Sequence, residues 1–395
     1  MVGTPEIEPT RFGSIGSSNH ISAFSRKCFN DFTHSDSFTG KYRRSKNYYT
    51  LPVQVAFVGD ARKHHYVPVF YQKNFTNANG LFWVYDRQRT ASQELAPKVV
   101  CSQKDLYAIV PSQAPKDQRL ESQALAIADG MCAAALRELI TGKMPPNLTT
   151  MANVAYFVAL QASRLPSTSK HISDVYRKVA EEFMRLSAVS VERMEELINQ
   201  YSEATGETLN VSAESMVEAI KGNHLEVVVS ERPFLEHLFR NADFLSKVFM
   251  GMSWDILLAP ADTGFILCDD PLVIVPPYGG KDIGVGIPGA VKYFPLSRLC
   301  CLRISDTGET IRYRKIDKEK VAAINKNIAA NSERFVMGPD RAQLETVVND
   351  SGSQKMDLQP RRKVFLTNQT DGGSLQVVAT IPGRYFYVGE NHEAP

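Results

Sequence analysis

Two adjacent histidines, His64 and His65, followed by Tyr66, Val67 and Pro68, are the first residues in the chain whose spacing could do chemistry. In some metal-dependent nucleases such a pair opens the site. One imidazole helps to bind a divalent cation and the other takes a proton from the attacking water. Neighbouring side chains on an extended chain face opposite ways, so one ring would reach a site while the other enters the core. A compact unit of that kind also needs a histidine a short way downstream, and the next one is His171. The plainer reading is a structural pair, with one imidazole bonded to backbone and one capping an element.

Arg164 and His171 repeat the arginine–histidine spacing that compact helical ribonucleases use, the imidazole as base and the guanidinium on the scissile phosphate. Arg232 and His237 offer a similar spacing, which shows how readily chance supplies it. The bland alternative for Arg164 is a helix-end arginine bonding the last carbonyls or an internal carboxylate. Asp269 and Asp270 precede Pro271 after an apolar run. Paired carboxylates there could hold Mg²⁺ or share a proton. An aspartate before proline equally favours turn initiation through its own backbone.

Other matches carry less. Gly284 to Gly289 fits the G-x-G-x-x-G spacing literally, but it lies in a Gly/Pro-rich stretch leading to a strand. No helix N-terminus is then available to receive a pyrophosphate. The restriction-type D…(D/E)xK metal motif and the GxSxG elbow do not occur. Lys41 to Tyr49 mixes basic and aromatic residues as single-stranded nucleic-acid grips do. A solvated basic tail is the simpler account.

These residues must be positioned by the surrounding elements. Residues 1–59 show no sustained period and read as a poorly structured extension. Leu81 to Arg87 reads as a strand after the Asn77–Gly80 turn signal. Gln118–Ile140 reads as a helix with Leu125, Ala128, Met131, Ala135 and Leu139 as its apolar stripe. A second helix starts near Thr149 or Thr150 and closes at Pro166. A third follows Ser167, with Ile172, Val175, Val179, Phe183 and Leu186 on one face. Further helices fall around Val191–Tyr201, Ala213–Lys221 and Pro233–Met250.

The pattern then turns to short apolar runs, Trp254–Leu258, Phe265–Cys268, Val291–Phe294 and Leu299–Ile304, the strands of a mostly antiparallel sheet. Lys318–Ala330 and Arg341–Val348 return to helix, and the tail offers Val364–Thr367, Leu375–Thr380 and Tyr385–Val388 as strands. Strands, then helices, then strands indicate an α+β fold with a helical layer packed on the sheet. The expected organisation is an extension over 1–59, a core over 60–350 and a C-terminal β tail over 351–395. Within the core, 118–250 and 318–348 are helical and 251–305 is strand-rich.

Composition excludes more than it selects. The 395 residues are 43% hydrophobic and 22% charged, ordinary globular values, with a net charge of +2. Nucleic-acid contact would have to come from local patches. The six cysteines include no CxxC pair, so a structural zinc site is not indicated, and reduced thiols are expected. Adjacent Cys300 and Cys301 should point to opposite sides of a strand. No apolar run approaches the roughly 20 residues that span a bilayer, and the N-terminus lacks a signal pattern. The cytoplasm is therefore the expected compartment.

The motifs together resemble domain-of-unknown-function family 4238. They begin with His64–Pro68, then Phe70–Phe75, Trp83–Arg87, an early helical Glu121 and Arg164-Leu165-Pro166. Trp254, Phe265–Pro271, Pro295-Leu296-Ser297 and a helix carrying Asn325, Asn327 and Asn331 follow in the family's order. The resemblance covers roughly residues 61–348. It implies no activity. Cys268 stands where the family usually has serine.

The expected site therefore combines His64, His65, Arg164 and Asp269 as catalytic residues. Lys63, Arg87, Glu121 and Asn325 would contact substrate, and Asp269 with Asp270 would hold Mg²⁺ or Mn²⁺. The expected function is a phosphodiester-cleaving, nuclease-like hydrolase acting on nucleic acid. The alternative is a non-catalytic module in which the same residues read a ligand or partner.

Overall fold

The computed structural model describes residues 63–107, 125–142, 146–206, 211–222, 232–277, 285–307, 311–350, 360–370 and 373–382, with 208, 209, 224 and 227. The expectations for 1–59, Gln118 to Gln123, Glu121 included, and Tyr385–Val388 lie outside the described residues. Two compact units emerge. One comprises Met1–Pro166, Leu235–Lys355 and Tyr385–Pro395, the other Ser167–Phe234 and Met356–Arg384.

The first unit begins with a ribbon in which β1 (Lys63–His65) pairs antiparallel with β4 (Ser102–Lys104). Between them lie a short helix, α1 (Val69–Gln72), and the strands β2 (Phe82–Asp86) and β3 (Ala91–Leu95). Helices α2 (Ala126–Ile140) and α3 (Leu148–Ser163) follow. The Asn147 carboxamide oxygen accepts the Thr150 N–H at 2.8 Å and starts α3, so the helix begins slightly before the expected threonines. The rest of the unit is β-rich. It contains β5 (Met252–Leu258), β6 (Leu267–Cys268), β7 (Val273–Val275), β8 (Val291–Ser297), β9 (Cys300–Thr307), β10 (Ile311–Lys315) and β11 (Phe335–Gly338). These strands form a five-stranded sheet, β10-β5-β9-β8-β7, and a four-stranded sheet, β3-β2-β11-β6.

All these pairings are antiparallel except β10 with β5. β9 and β10 run in opposite directions yet do not pair, because β5 lies between them. β8 shifts register between Pro295 and Ser297, where proline has no N–H to give the ladder.

Two helices run between and after the last strands of the unit, α8 (Lys318–Asn331) and α9 (Arg341–Asp350). Val321, Ile324 and Ile328 of α8 and Leu344, Val347 and Val348 of α9 pack on Leu257, Phe265, Ile266, Val273 and Cys301. This is the helical layer on a mostly antiparallel sheet that defines an α+β fold. A second apolar centre is aromatic. Tyr71 stacks on Phe294 with centroids 5.3 Å apart and meets Phe75 and Phe157 edge-on, and its hydroxyl donates to the Pro295 carbonyl. It ties α1 to α3 and β8.

The second unit holds most of α4 (Pro166–Ser187), then α5 (Val191–Thr205), α6 (Ala213–Lys221) and the hairpin of β12 (Pro360–Thr370) with β13 (Gly373–Pro382). α7 (Arg232–Met250) starts here and continues into the first unit. Ala188, Met194, Ala213 and Val217 form a small core with Val191, Ile198, Met216 and Ile220.

Two predicted stripes need correction. On α2 the buried line is Ala128, Cys132, Ala135, Leu136 and Leu139, while Met131 is 44% exposed. Cys132 takes the place assigned to Met131, one step around the helix. On α4 Ile172 is buried, but Phe183 and Leu186 are exposed. The described cysteines Cys101, Cys132, Cys268, Cys300 and Cys301 are all buried thiols outside any disulfide.

Candidate functional site

The paired histidines do face opposite ways. His64 is fully buried, and its Nδ1 accepts the Tyr107 N–H at 2.9 Å. Its ring stacks on Tyr107 at 5.5 Å with planes 5° apart. The Tyr107 hydroxyl in turn donates to the Arg164 carbonyl at 2.8 Å. His64 thus serves as a bracket between β1 and the end of α3.

His65 is half-buried on the other side. Its Nε2 lies 3.1 Å from the Lys98 carbonyl. A carbonyl can only accept, so Nε2 carries the proton and Nδ1 is the ring's acceptor. Burial lowers the imidazole's pKa from 6.5. Lys63 and Arg164 lower it further, against the opposing Lys98 carbonyl. The ring is consequently neutral at neutral pH.

Arg164 is 1% exposed at the C-terminus of α3. Its Nε donates to Gln161 Oε1 at 3.0 Å and its Nη1 to Asp129 Oδ1 at 3.0 Å. Gln161 Nε2 donates to the Tyr66 carbonyl at 2.6 Å. This chain of polar contacts links Asp129 on α2 to the histidine element. Burial raises the Asp129 carboxyl's pKa, and Arg164 opposes that rise. Arg164 and His171 belong to different units.

Asp269 follows β6, and its carboxylate accepts three backbone N–H groups, from Glu333 at 2.8 Å, Arg334 at 2.8 Å and Phe335 at 3.1 Å. Those residues connect α8 to β11. The preceding turn is held from α8 as well. Asn325 Oδ1 accepts the Ile266 N–H at 3.1 Å, and its Nδ2 donates to the Gly264 carbonyl at 2.8 Å. Asn331 Nδ2 donates to the Asp270 carbonyl at 2.6 Å. The Phe265–Pro271 motif and the asparagine helix therefore occur together because one is bonded to the other. Cys268 donates to the Asp270 carbonyl at 2.9 Å from a fully buried position. A serine hydroxyl would make the same bond, so the exchange fits a structural part.

Arg87, expected at the substrate, donates to Ser332 Oγ and the Ala329 carbonyl, both at 2.6 Å, and so caps the end of α8. Asn325, with the same expectation, is 1% exposed. Both are occupied by the fold. Among the described residues no group of three or more His, Cys, Asp or Glu side chains is arranged to hold a metal ion. Asp269, one of the two proposed metal carboxylates, spends both oxygens on backbone.

The fold does bring parts of the expected set together. Arg164 is within electrostatic reach of His65, and Asp269 within reach of Tyr66 and Cys101. Tyr66 and Cys101, missed in the sequence, form the bridge, with Cys101 held at φ 53°. Positive φ at a non-glycine is rare and marks a constrained backbone. Nothing in a cysteine codon announces it. The Asp86–Arg334 pair was also missed. Arg334 Nε lies 3.1 Å from Oδ1 and Nη2 2.8 Å from Oδ2.

Lys63 lies directly opposite Lys104 on the ribbon, and His65 opposite Ser102. Both lysines are exposed. Among the described residues no carboxylate pairs with either. Like charges directly opposed on a strand pair repel. The ribbon therefore presents two cations, a neutral imidazole acceptor and a hydroxyl on one side. Surface clefts of about 630 Å³ beside Glu138 and Asn153 and about 480 Å³ beside Asp262 and Arg298 lie elsewhere, lined by none of the expected residues.

The architecture and its internal brackets define an α+β protein whose shared motif residues mostly hold its strands in place. The chain matches the family described as "Protein of unknown function (DUF4238)" over residues 63–342 and belongs to it. No curated protein and no solved structure matches the chain. Among the described residues no helix is long and apolar enough to cross a membrane.

Proposed function

We propose that the chain binds a phosphate-bearing ligand, nucleic acid being the polymer of that class, on the Lys63–His65 side of the β1–β4 ribbon. The observation that carries this reading is the facing of Lys63 and Lys104 with no carboxylate between them among the described residues. A phosphate would offset their repulsion, and the Ser102 hydroxyl would donate to its oxygens. His64, Arg164 and Asp269 hold this face from behind.

A second reading, phosphodiester cleavage, is favoured by one observation. The His65 ring is pinned by Lys98 with Nδ1 as acceptor and is neutral at neutral pH, the state a general base requires. Mg²⁺ or Mn²⁺ would enter with the substrate's phosphates.

Labelled single-stranded RNA and DNA, mixed with the full chain with and without Mg²⁺ or Mn²⁺, test both. Binding is read by fluorescence anisotropy and cleavage on a gel. Lys63→Ala/Lys104→Ala should weaken binding about tenfold at low salt and flatten the salt dependence by about 1.4 in slope. Unchanged affinity in that variant rejects the binding face. Cleavage that disappears in His65→Ala while binding persists would promote the catalytic reading.

A further inference from the structure

A different side-chain cluster lies on the five-stranded sheet. Asp255 on β5 has Arg303 of β9 and Arg312 of β10 as its direct cross-strand partners. Arg314, two residues along β10, projects to the same side. The Asp255 carboxylate is 2% exposed, and the three guanidiniums converge on it. Arg303 Nη1 lies 2.7 Å away, Arg314 Nε 3.0 Å and Arg312 Nε 3.4 Å. Only the Arg303 contact is a directed hydrogen bond. The arginine side chains themselves are 27%, 38% and 49% exposed.

One bidentate arginine neutralises a buried carboxylate. The second and third bring repulsion with no further charge among the described residues to balance it. Among those residues, three guanidiniums against one carboxylate leave a net charge of +2 at this spot. Each guanidinium carries five N–H donors, whereas a carboxylate offers about four lone-pair sites. Most donors are thus left for something else. The parallel pairing of β10 creates the convergence, since it sets Arg312 beside Asp255 and Arg314 beside Leu257. Leu257 and Cys301, further along the same face, are buried in the core. The arginines emerge where that cover ends, held in place by the buried carboxylate.

We propose that Arg303, Arg312 and Arg314, held by Asp255, form a binding site for a doubly charged oxyanion, the phosphate of a small monoester. Planar guanidiniums match phosphate oxygens in pairs, and the cluster's charge equals that of a monoester dianion. The site is separate from the ribbon face and does not depend on it.

Inorganic phosphate is titrated into the full chain by calorimetry against chloride at matched ionic strength. Arg312→Gln/Arg314→Gln, altering two half-exposed side chains, should lower phosphate affinity about tenfold or more. Lys63→Ala/Lys104→Ala should retain it. Equal affinity in the arginine variant and the wild type overturns the proposal, as does a chloride response equal to that of phosphate. A nucleoside monophosphate should compete with phosphate. An oligonucleotide without terminal phosphates that competes equally well would overturn the dianion assignment in favour of backbone diesters.

Discussion

Asp269 accepts three backbone N–H groups, a partner set that residue type alone does not show. A carboxylate before proline is visible in sequence; the backbone donors it serves, from Glu333 to Phe335, lie more than sixty positions downstream. Asp269→Ala would leave those donors without their acceptor. It should destabilise the protein by about 3 kcal/mol or more, measured by denaturant unfolding. Cys268→Ser in the adjoining turn should change stability by far less. His64 was legible as one of a pair, but only the fold shows that Tyr107 occupies its Nδ1.

His65 gives a prediction of its own. Its folded pKa lies below the ordinary 6.5 because burial, then Lys63 and Arg164, disfavour the imidazolium. The unfolded chain therefore takes up the proton first as pH falls. The stability due to neutral His65 is full above 6.5 and declines as pH drops toward the lowered folded value. Unfolding free energies from pH 7.5 to 5 should fall less steeply in His65→Gln than in wild type. Parallel curves would show that the ring is not so buried or so placed.

The helices were the legible elements. Asp317 accepts the Lys320 N–H at 2.7 Å and starts α8, and Ser190 and Ser212 do the same for α5 and α6. These signals lie within one turn of the helix they begin, so sequence carries them. Asp317→Ala should cost about 1 kcal/mol of stability in thermal or chemical unfolding. It loosens the helix that presents Asn325 and Asn331. The strands were less legible. β3, β4, β10 and β11 were not expected, because their residues are polar, few or charged. β10 reads Ile-Arg-Tyr-Arg-Lys, and only Ile311 is buried. Its parallel pairing with β5 depends on contacts across more than fifty residues. The division into two sheets likewise has no local mark.

At the scale of the whole chain, two units of unequal core should open unequally. The first contains the α8–α9 packing on the sheet, whereas the second described core consists of four buried residues and a few partners. Amide hydrogen exchange should show α5 and α6 exchanging by low-energy openings and β5, β8 and β9 only near global unfolding. Equal protection in both would mean that the chain unfolds as one cooperative body. The α+β class and the family were legible throughout, because both rest on order along the chain. The candidate site residues were legible in part: Lys63 and His65 stand at the first motif, whereas Lys104, Arg303, Arg312 and Arg314 fall in no motif.

Among the described residues the five-stranded sheet ends at β10, which leaves a row of backbone donors and acceptors on its outer side. Such a border invites another copy to add its own strand and begin a fibre. Arg312, Arg314 and Lys315 crowd this border with positive charge, and like charges on approaching copies discourage the docking. The same arginines that await an anion therefore also act as a fence against polymerisation.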